Sequence, residues 1–327
     1  MKPRVLLTLP IDPVGMAILE PVADVVIAPD TRPGTIRALA RDAAAISVRV
    51  NLPPDIFDHA PRLLGCMRHG VGLDMIPVEA ATAHGVIVAN VPGANSGTVA
   101  EYVIAQMLLA ARRLHLVDRD LRAKDWFPAR THADAATELA GKTVGVVGVG
   151  AIGTRVAEIA HHGFRMRVLG HQRRLDRLPK FVEGVALDDL FAASDYVVLA
   201  CPLTPQTRGL ANAARIARMK PAAVLVNVSR GPVVEEQALV AALVAKRIGG
   251  AALDVFETQP LARDHPLLGL DNVTLSPHMA GLSIDSMTVM SRVSAEDTVR
   301  ILRGEKPVNF CNPEVWERAL VRRRALG

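Results

Sequence analysis

Short apolar runs of strand length alternate with stretches of helical periodicity from the first residues of the chain onward. RVLLTL, DVVIA, AAISVR, LLGCMRHG and GVIVAN read as strands. VGMAILEPV, TIRALARDA and PVEAATAHG, the last ending at Gly85, read as the helices between them. Strand and helix in alternation imply a parallel sheet covered on both faces. This first unit closes near residue 95. A second series begins at KTVGVVGVGAIG and continues through RVLGH, YVVLACP, AVLVNVSRG, GGAALDVFE and NVTLSP. Between the two lies SGTVAEYVIAQMLLAARRLHLVDRDLRA, too regular and apolar for a linker, which predicts one long helix capped by Ser96 or Thr98. A last helix is expected over MTVMSRVSAEDTVRILRG, followed by a proline-containing tail. The expected class is α/β, with two doubly wound parallel sheets.

The bulk properties narrow the functional classes. The chain has 327 residues, half of them apolar, enough for two domains with sizeable cores. No apolar run approaches the ~18 residues that would span a bilayer, so no membrane partner is expected. The start, MKPRVLLTLPIDP, is broken at Pro10 and lacks a small-residue cleavage site, so it reads as a first strand and not a leader, with the mature chain beginning at Met1. Cys66, Cys201 and Cys311 are odd in number and have no metal-ligand spacing, which fits a reducing, cytoplasmic setting and no metal. A net charge of +5 suits nucleic acid or, as readily, an enzyme that attracts small anionic substrates and phosphates. The basic residues are scattered except in RALVRRR near the end, read as a solvated helix face, and no nucleic-acid partner is expected.

Chemistry concentrates in the second series. Gly148, Gly150 and Gly153 stand in the spacing G-x-G-x-x-G, directly after a valine-rich run and before a helical pattern. In that context the glycines serve a tight turn, close approach to a pyrophosphate, and tight packing of helix on strand. Backbone N–H groups around Ala151 and Ile152 are expected to face the phosphates. Taken alone, the motif is only a tight turn. An acid about 20 residues further on usually reads the adenosine ribose; here Gln172 stands there, followed by Arg173 and Arg174. A guanidinium suits a 2′-phosphate by charge and by its paired donors, so NADP(H) is favoured over NAD(H). Two surface arginines are the alternative.

These residues, together with several long segments in order, resemble the D-isomer-specific 2-hydroxyacid dehydrogenases. The segments are HGVGLDMIPVEAATAHGVIVANVPGANSGTVAEYVIAQMLLAARR, GKTVGVVGVGAIG, SDYVVLACPLTPQTRGL, MKPAAVLVNVSRGPVVEEQALVAAL, GGAALDVFETQPL and LSPHMAG. The resemblance implies a Rossmann nucleotide domain, about residues 98–283, inserted into a flavodoxin-like substrate domain, about 1–97 plus 284–327. It also implies an active site in the interdomain cleft and a homodimer built through the nucleotide domains and the long helix near residues 98–118. By the same resemblance Arg230 holds the substrate carboxylate and polarises the carbonyl. The N–H groups of Val71 and Gly72 take the remaining carboxylate oxygen, and His278 is the acid/base. Asp254 matches the acid beside the nicotinamide, and Cys201, Pro202, Thr207, Val228 and Ser229 match positions lining the cofactor. Each has a plainer reading: Arg230 as a loop-end salt bridge, His278 as a satisfied loop histidine, Asp254 as a turn former. His69, His84, His161, His162, His171 and His265 match no catalytic position.

One position departs from the pattern. The carboxylate that pairs with the histidine falls just before the proline of FETQP, which is Gln259, with Glu257 two residues earlier. A Gln–His pair resembles the NAD-dependent formate dehydrogenases, and Asn95 stands where that branch also has an asparagine. An amide still accepts a hydrogen bond from an imidazole and orients it. What it removes is the charge that raises the histidine's pKa. The sequence therefore points first to a reductase of a small 2-keto acid such as glyoxylate or hydroxypyruvate. Formate oxidation is the alternative within the fold, and a dinucleotide-sensing, corepressor-like binding protein is the alternative outside enzymes.

Overall fold

A computed structural model describes residues 2–326; Met1, the expected start, and Gly327, the end of the expected second substrate segment, lie outside the described residues. The chain divides into two compact units, one of residues 1–95 and 282–327, the other of residues 96–281. Each junction falls two residues before the expected boundary.

The first unit holds β1 (Arg4–Leu7), β2 (Asp24–Ile27), β3 (Ala43–Val48), β4 (Gly65–Arg68) and β5 (Ile87–Ala89). They form one parallel sheet in the order β2-β1-β3-β4-β5, the flavodoxin-like order. The residues of β1 alternate between its faces. Leu6 packs with Ile46, Val48, Cys66 and Val88 on one side. Val5 and Leu7 pack with Ala45 and Val299 on the other. Val299 belongs to the closing helix Ile284–Arg303, whose Ser283 and Ser286 form a reciprocal cap.

The second unit contains β6 (Thr143–Val147), β7 (Arg167–His171), β8 (Glu183–Gly184), β9 (Tyr196–Leu199), β10 (Val224–Asn227), β11 (Gly250–Leu253) and β12 (Val273–Leu275). All seven are parallel, in the order β12-β11-β10-β9-β6-β7-β8. The order reverses between β6 and β9, the switch point at which such sheets bind ligands. Val144 and Val146 face one core, shared with Ala100, Val103 and Met107 of the helix Ser96–Arg112. Val147 faces the other, with Leu199 and Leu225. All five residues of β6 are buried, alternate side chains entering opposite cores, which is what a sheet covered by helices on both faces requires.

Three expectations are corrected. The connecting helix is not continuous: it breaks at Arg113, whose φ of 52° is left-handed, into Ser96–Arg112 and Leu114–Ala123. Such a conformation costs about 1–2 kcal/mol for a residue with a Cβ. It is offset by what the turn delivers. His115 Nε2 meets the carbonyl of Asp271 at 3.0 Å, and Arg119 reaches the Asp271 carboxylate at 2.5 Å. Neither Ser96 nor Thr98 is a cap preceding this helix, because both lie within its first turn. The arginine-rich end is not merely a solvated face. Within the helix Trp316–Leu326, Arg322 donates to the carbonyls of Leu63 at 2.7 Å, Pro61 at 2.8 Å and Ala60 at 3.1 Å, clamping a turn of its own unit.

Candidate active site

The three glycines of the first turn after β6 carry separate constraints. Gly148 has φ +92°, and a Cβ there would stand 2.7 Å from the backbone of Cys201. Gly153 lies inside the helix Ala151–Glu158, where a Cβ would be 2.2 Å from the carbonyl oxygen of Gly148. Gly150 is different: a Cβ would meet nothing within 4 Å. The turn is thus closed by its outer glycines and open at its middle one, which is where a pyrophosphate needs to reach the backbone. Ala151 and Ile152 open the helix just beyond it. These features fit a dinucleotide.

Around this turn the other expected cofactor residues fall at neighbouring strand ends. Gln172 directly follows β7, and its Nε2 donates to the carbonyl of Arg174 at 2.8 Å, pinning the bend. Arg173 and Arg174 are exposed, and neither forms an ion pair among the described residues. Cys201 is buried after β9, and burial pushes its thiol up to about 11, so it is a packing group there. The Thr207 hydroxyl donates to the carbonyl of Pro202 at 2.7 Å, closing the loop. After β10, Val228 donates its N–H to the carbonyl of Leu199. Asn227 accepts from the N–H of Ser229 at 3.0 Å and from its hydroxyl at 2.7 Å, and donates to the carbonyl of Arg230 at 3.1 Å.

That asparagine presents Arg230. Its guanidinium donates to the carbonyl of Ser229 at 2.7 Å. The next residue, Gly231, lies so close to the Phe256–Glu257 peptide that a Cβ would sit 1.9 Å from Phe256. The Arg230 turn is therefore seated on the segment that leads to Gln259. The Gln259 Nε2 donates to the Phe256 carbonyl at 3.3 Å, which turns Oε1 the other way. His278 Nδ1 lies 3.1 Å from that Oε1. Glu257 is exposed, and its backbone N–H donates to the Glu236 carboxylate at 3.0 Å.

His278 has φ +55°, unusual for a residue with a side chain. Its N–H donates to the Asp254 carbonyl at 2.8 Å. The Asp254 carboxylate accepts from the N–H of Met279 at 2.7 Å and of Ala280 at 2.9 Å. A left-handed residue persists when its surroundings over-determine it, and here both flanks are tied to one aspartate. Asp254, expected beside the nicotinamide, has a carboxylate that also anchors the histidine loop.

Val71 and Gly72 lie in the first unit, in the loop after β4. The carbonyl oxygens of that loop are occupied. Arg68 donates to those of His69 at 2.7 Å and Gly72 at 3.0 Å, Asn90 to that of Val71 at 2.7 Å, and Val91 N–H to that of Gly70 at 2.8 Å. This leaves the N–H groups of Val71 and Gly72 as the polar atoms on offer. His69 is no acid there: burial, then the charges of Arg49 and Arg68, lower its pKa to about 4. His265 meets Glu236 at 3.1 Å, and His84 meets Asp58 at 3.0 Å.

Sequence reasoning missed Arg68, Asn227 and Gly231. The signal for Gly231 was present, a glycine directly after the arginine; Asn227 carried a local one as well, an asparagine at a strand end whose side chain bonds the residues two and three ahead of it, Ser229 and Arg230, whereas Arg68 carried none.

Residues 104–280 match the NAD-binding domain of D-isomer specific 2-hydroxyacid dehydrogenases. The chain belongs to this family. It is 38% identical over 324 residues to a glyoxylate reductase of Korarchaeum cryptofilum, covering 96% of this chain and 97% of that one. It is also 38% identical over 281 residues to a glyoxylate/hydroxypyruvate reductase B of Pectobacterium carotovorum, covering 85% and 88%. Among solved structures it resembles an NADPH-dependent glyoxylate/hydroxypyruvate reductase from Sinorhizobium meliloti in complex with NADP and malonate. The two share 30% identity and a TM-score of 0.85, over 95% of this chain and 97% of that one. As a member of the family this protein is an NAD(P)-dependent oxidoreductase of 2-keto and 2-hydroxy acids.

The glycine geometry separates fold from binding. Gly150→Ala is expected to leave the thermal midpoint within about 2 °C, since the change is under ~0.5 kcal/mol at an open site, while weakening NADPH binding at least tenfold, read by fluorescence titration. Gly153→Ala is expected to lower both. Equal dinucleotide affinity in Gly150→Ala and the parent protein would remove the pyrophosphate from this turn.

Proposed function

We propose that this protein reduces small 2-keto acids, such as glyoxylate or hydroxypyruvate, to D-2-hydroxy acids, with NADPH preferred and NADH accepted. The reading is carried by the amide-oriented histidine, His278 Nδ1 at 3.1 Å from Gln259 Oε1, in the same unit as Arg230 and the dinucleotide turn. When bound, the nicotinamide cofactor supplies the hydride. Arg230 grips the substrate carboxylate and polarises the ketone, a task suited to a guanidinium with paired donors. The N–H groups of Val71 and Gly72 receive the other carboxylate oxygen. His278 delivers a proton from Nε2 to the ketone oxygen and keeps Nδ1–H on the Gln259 oxygen; in oxidation it takes the proton back. Cys201, Pro202, Thr207, Val228 and Ser229 line the cofactor, and Arg173 and Arg174 face its 2′-phosphate.

Gln259 also favours a second reading, oxidation of formate, in which no protein group moves a proton. A panel of glyoxylate, hydroxypyruvate and formate with both cofactors decides between them. The expected result is turnover of a keto acid with kcat/KM higher for NADPH, and a shift toward NADH in the Arg173→Ala, Arg174→Ala double variant. A tenfold preference for NADH, about 1.4 kcal/mol in transition-state terms, would overturn the 2′-phosphate assignment. Tight cofactor binding without turnover of any substrate would favour the sensing, corepressor-like reading.

The pH dependence is a matter of charge. Only protonated His278 can donate, so kcat/KM for reduction falls as pH rises through its pKa. Gln259→Glu places a negative charge beside the ring and stabilises the imidazolium. The alkaline limb should therefore move to higher pH. An unmoved limb in a folded Gln259→Glu variant would break the assigned pair.

The protein's own partner is proposed to be a second copy. Trp126 and Phe127 are 60% and 75% exposed, and Leu114 and Leu121 on the preceding helix are also exposed. A cluster of this kind on one arm suits an apolar interface. Sedimentation velocity should give a dimer that Phe127→Asp converts to monomer; a monomeric parent protein would refute it. Three free thiols, two of them buried, support a cytoplasmic setting. Among the described residues no helix is long and apolar enough to cross a membrane.

A further inference from the structure

The helix Ser96–Arg112 places Tyr102 and Gln106 one turn apart on the same face. β12 and the residue after it place Thr274 and Ser276 two apart, on the same side of the strand. The two pairs meet. The Thr274 hydroxyl donates to Gln106 Oε1 at 2.7 Å, and the Tyr102 phenol lies 2.5 Å from the Ser276 hydroxyl. Ser276 in turn donates to Asp254 Oδ1 at 2.6 Å. Because Ser276 spends its one proton on the carboxylate, Tyr102 must be the donor to Ser276.

A directed chain results, from phenol to hydroxyl to carboxylate. Hydrogen bonds that end on a charge are the stronger ones, and each link polarises the next. The Asp254 carboxylate also accepts from Met279 and Ala280, the two residues that come after His278. Burial raises the Tyr102 phenol's pKa, with a smaller upward push from the Asp254 charge, so the proton of this link stays on the tyrosine.

We propose that Tyr102 and Ser276 form a hydroxyl relay that positions the proton-donating histidine, fixing the Asp254 carboxylate so that it holds His278 in its left-handed conformation. This rests on the role given to His278 above. Neither residue is catalytic; both act through Asp254. The relay adds a requirement to the reaction that the arginine, the histidine and its amide partner do not express: a phenol on a distant helix, with its hydroxyl 2.5 Å from Ser276, sets how well the proton is aimed. Without the phenol, Ser276 can turn its proton away, and the carboxylate loses an oriented donor.

The test uses the full-length chain as Tyr102→Phe, Ser276→Ala and Ser276→Thr, each first shown to keep the parent circular dichroism spectrum. Two readouts are taken. Hydrogen exchange monitored by mass spectrometry is expected to show faster exchange across residues 276–281 in Tyr102→Phe and Ser276→Ala, with near-parent protection in Ser276→Thr. Steady-state kinetics with glyoxylate and NADPH should show kcat reduced about tenfold in the first two, with KM for either substrate changed less than twofold, and kcat largely restored in Ser276→Thr. Parent-like exchange in Tyr102→Phe overturns the relay, whatever the activity. Faster exchange with unchanged kcat, or equal losses in kcat and cofactor affinity, overturns its positioning role. If the parent protein reduces no keto acid, the function proposed above fails while the exchange experiment still decides whether the relay exists.

Discussion

Parallel strand pairing with aligned C-terminal ends is the constraint on which the site in the second unit depends. Val147 pairs with both His171 and Leu199, Asn227 with both Leu199 and Leu253, and Leu253 with Leu275. These are the last residues of β6, β7, β9, β10, β11 and β12, so six strands end along one line. Each of them runs out into chemistry: the glycine turn, Gln172, Cys201, the Arg230 turn, Asp254 and the His278 loop. Parallel pairing puts every such loop on the same edge, and apolar burial on both faces keeps the strands from slipping. The side chains of the site inherit their order from the sheet.

Within that frame, short backbone contacts do what long side chains could not. Gly231 brings the Arg230 turn against the peptide after Phe256, and the same Phe256 carbonyl orients the Gln259 amide. The arginine turn and the glutamine are thereby seated on one peptide, and the histidine joins them through the Gln259 side chain. Rigid support of this kind is what the function proposed for these residues requires.

How far the sequence could be read depended on the range of each interaction. The strands of the second unit were legible because an all-parallel sheet writes its burial as continuous apolar runs, except β8, whose two residues are exposed; the glycine turn was legible because its spacing is local. Arg113 was not: it carries no glycine or proline signal, and its left-handed backbone answers to His115 and Arg119 reaching Asp271, more than 150 residues away. The same holds for Arg322, whose carbonyl partners are Ala60, Pro61 and Leu63. At the site, Gln259 was found by counting against a pattern; Arg68 was hidden because it bonds main-chain carbonyls, which sequence does not distinguish, and Asn227 was overlooked although its partners, Ser229 and Arg230, are local.

The amide at position 259 has a consequence for the solvent. Histidine–carboxylate pairs are attractions between charges, and mobile ions weaken them where they are exposed, over a screening length of about 8 Å at physiological ionic strength. The bond from His278 to Gln259 is to a neutral oxygen on an exposed residue, with a donor that is oriented whether or not the ring is charged. Salt has little to act on there. The aim of this imidazole is thus set by geometry that persists in concentrated electrolyte, where a carboxylate in the same exposed position would have its hold diluted.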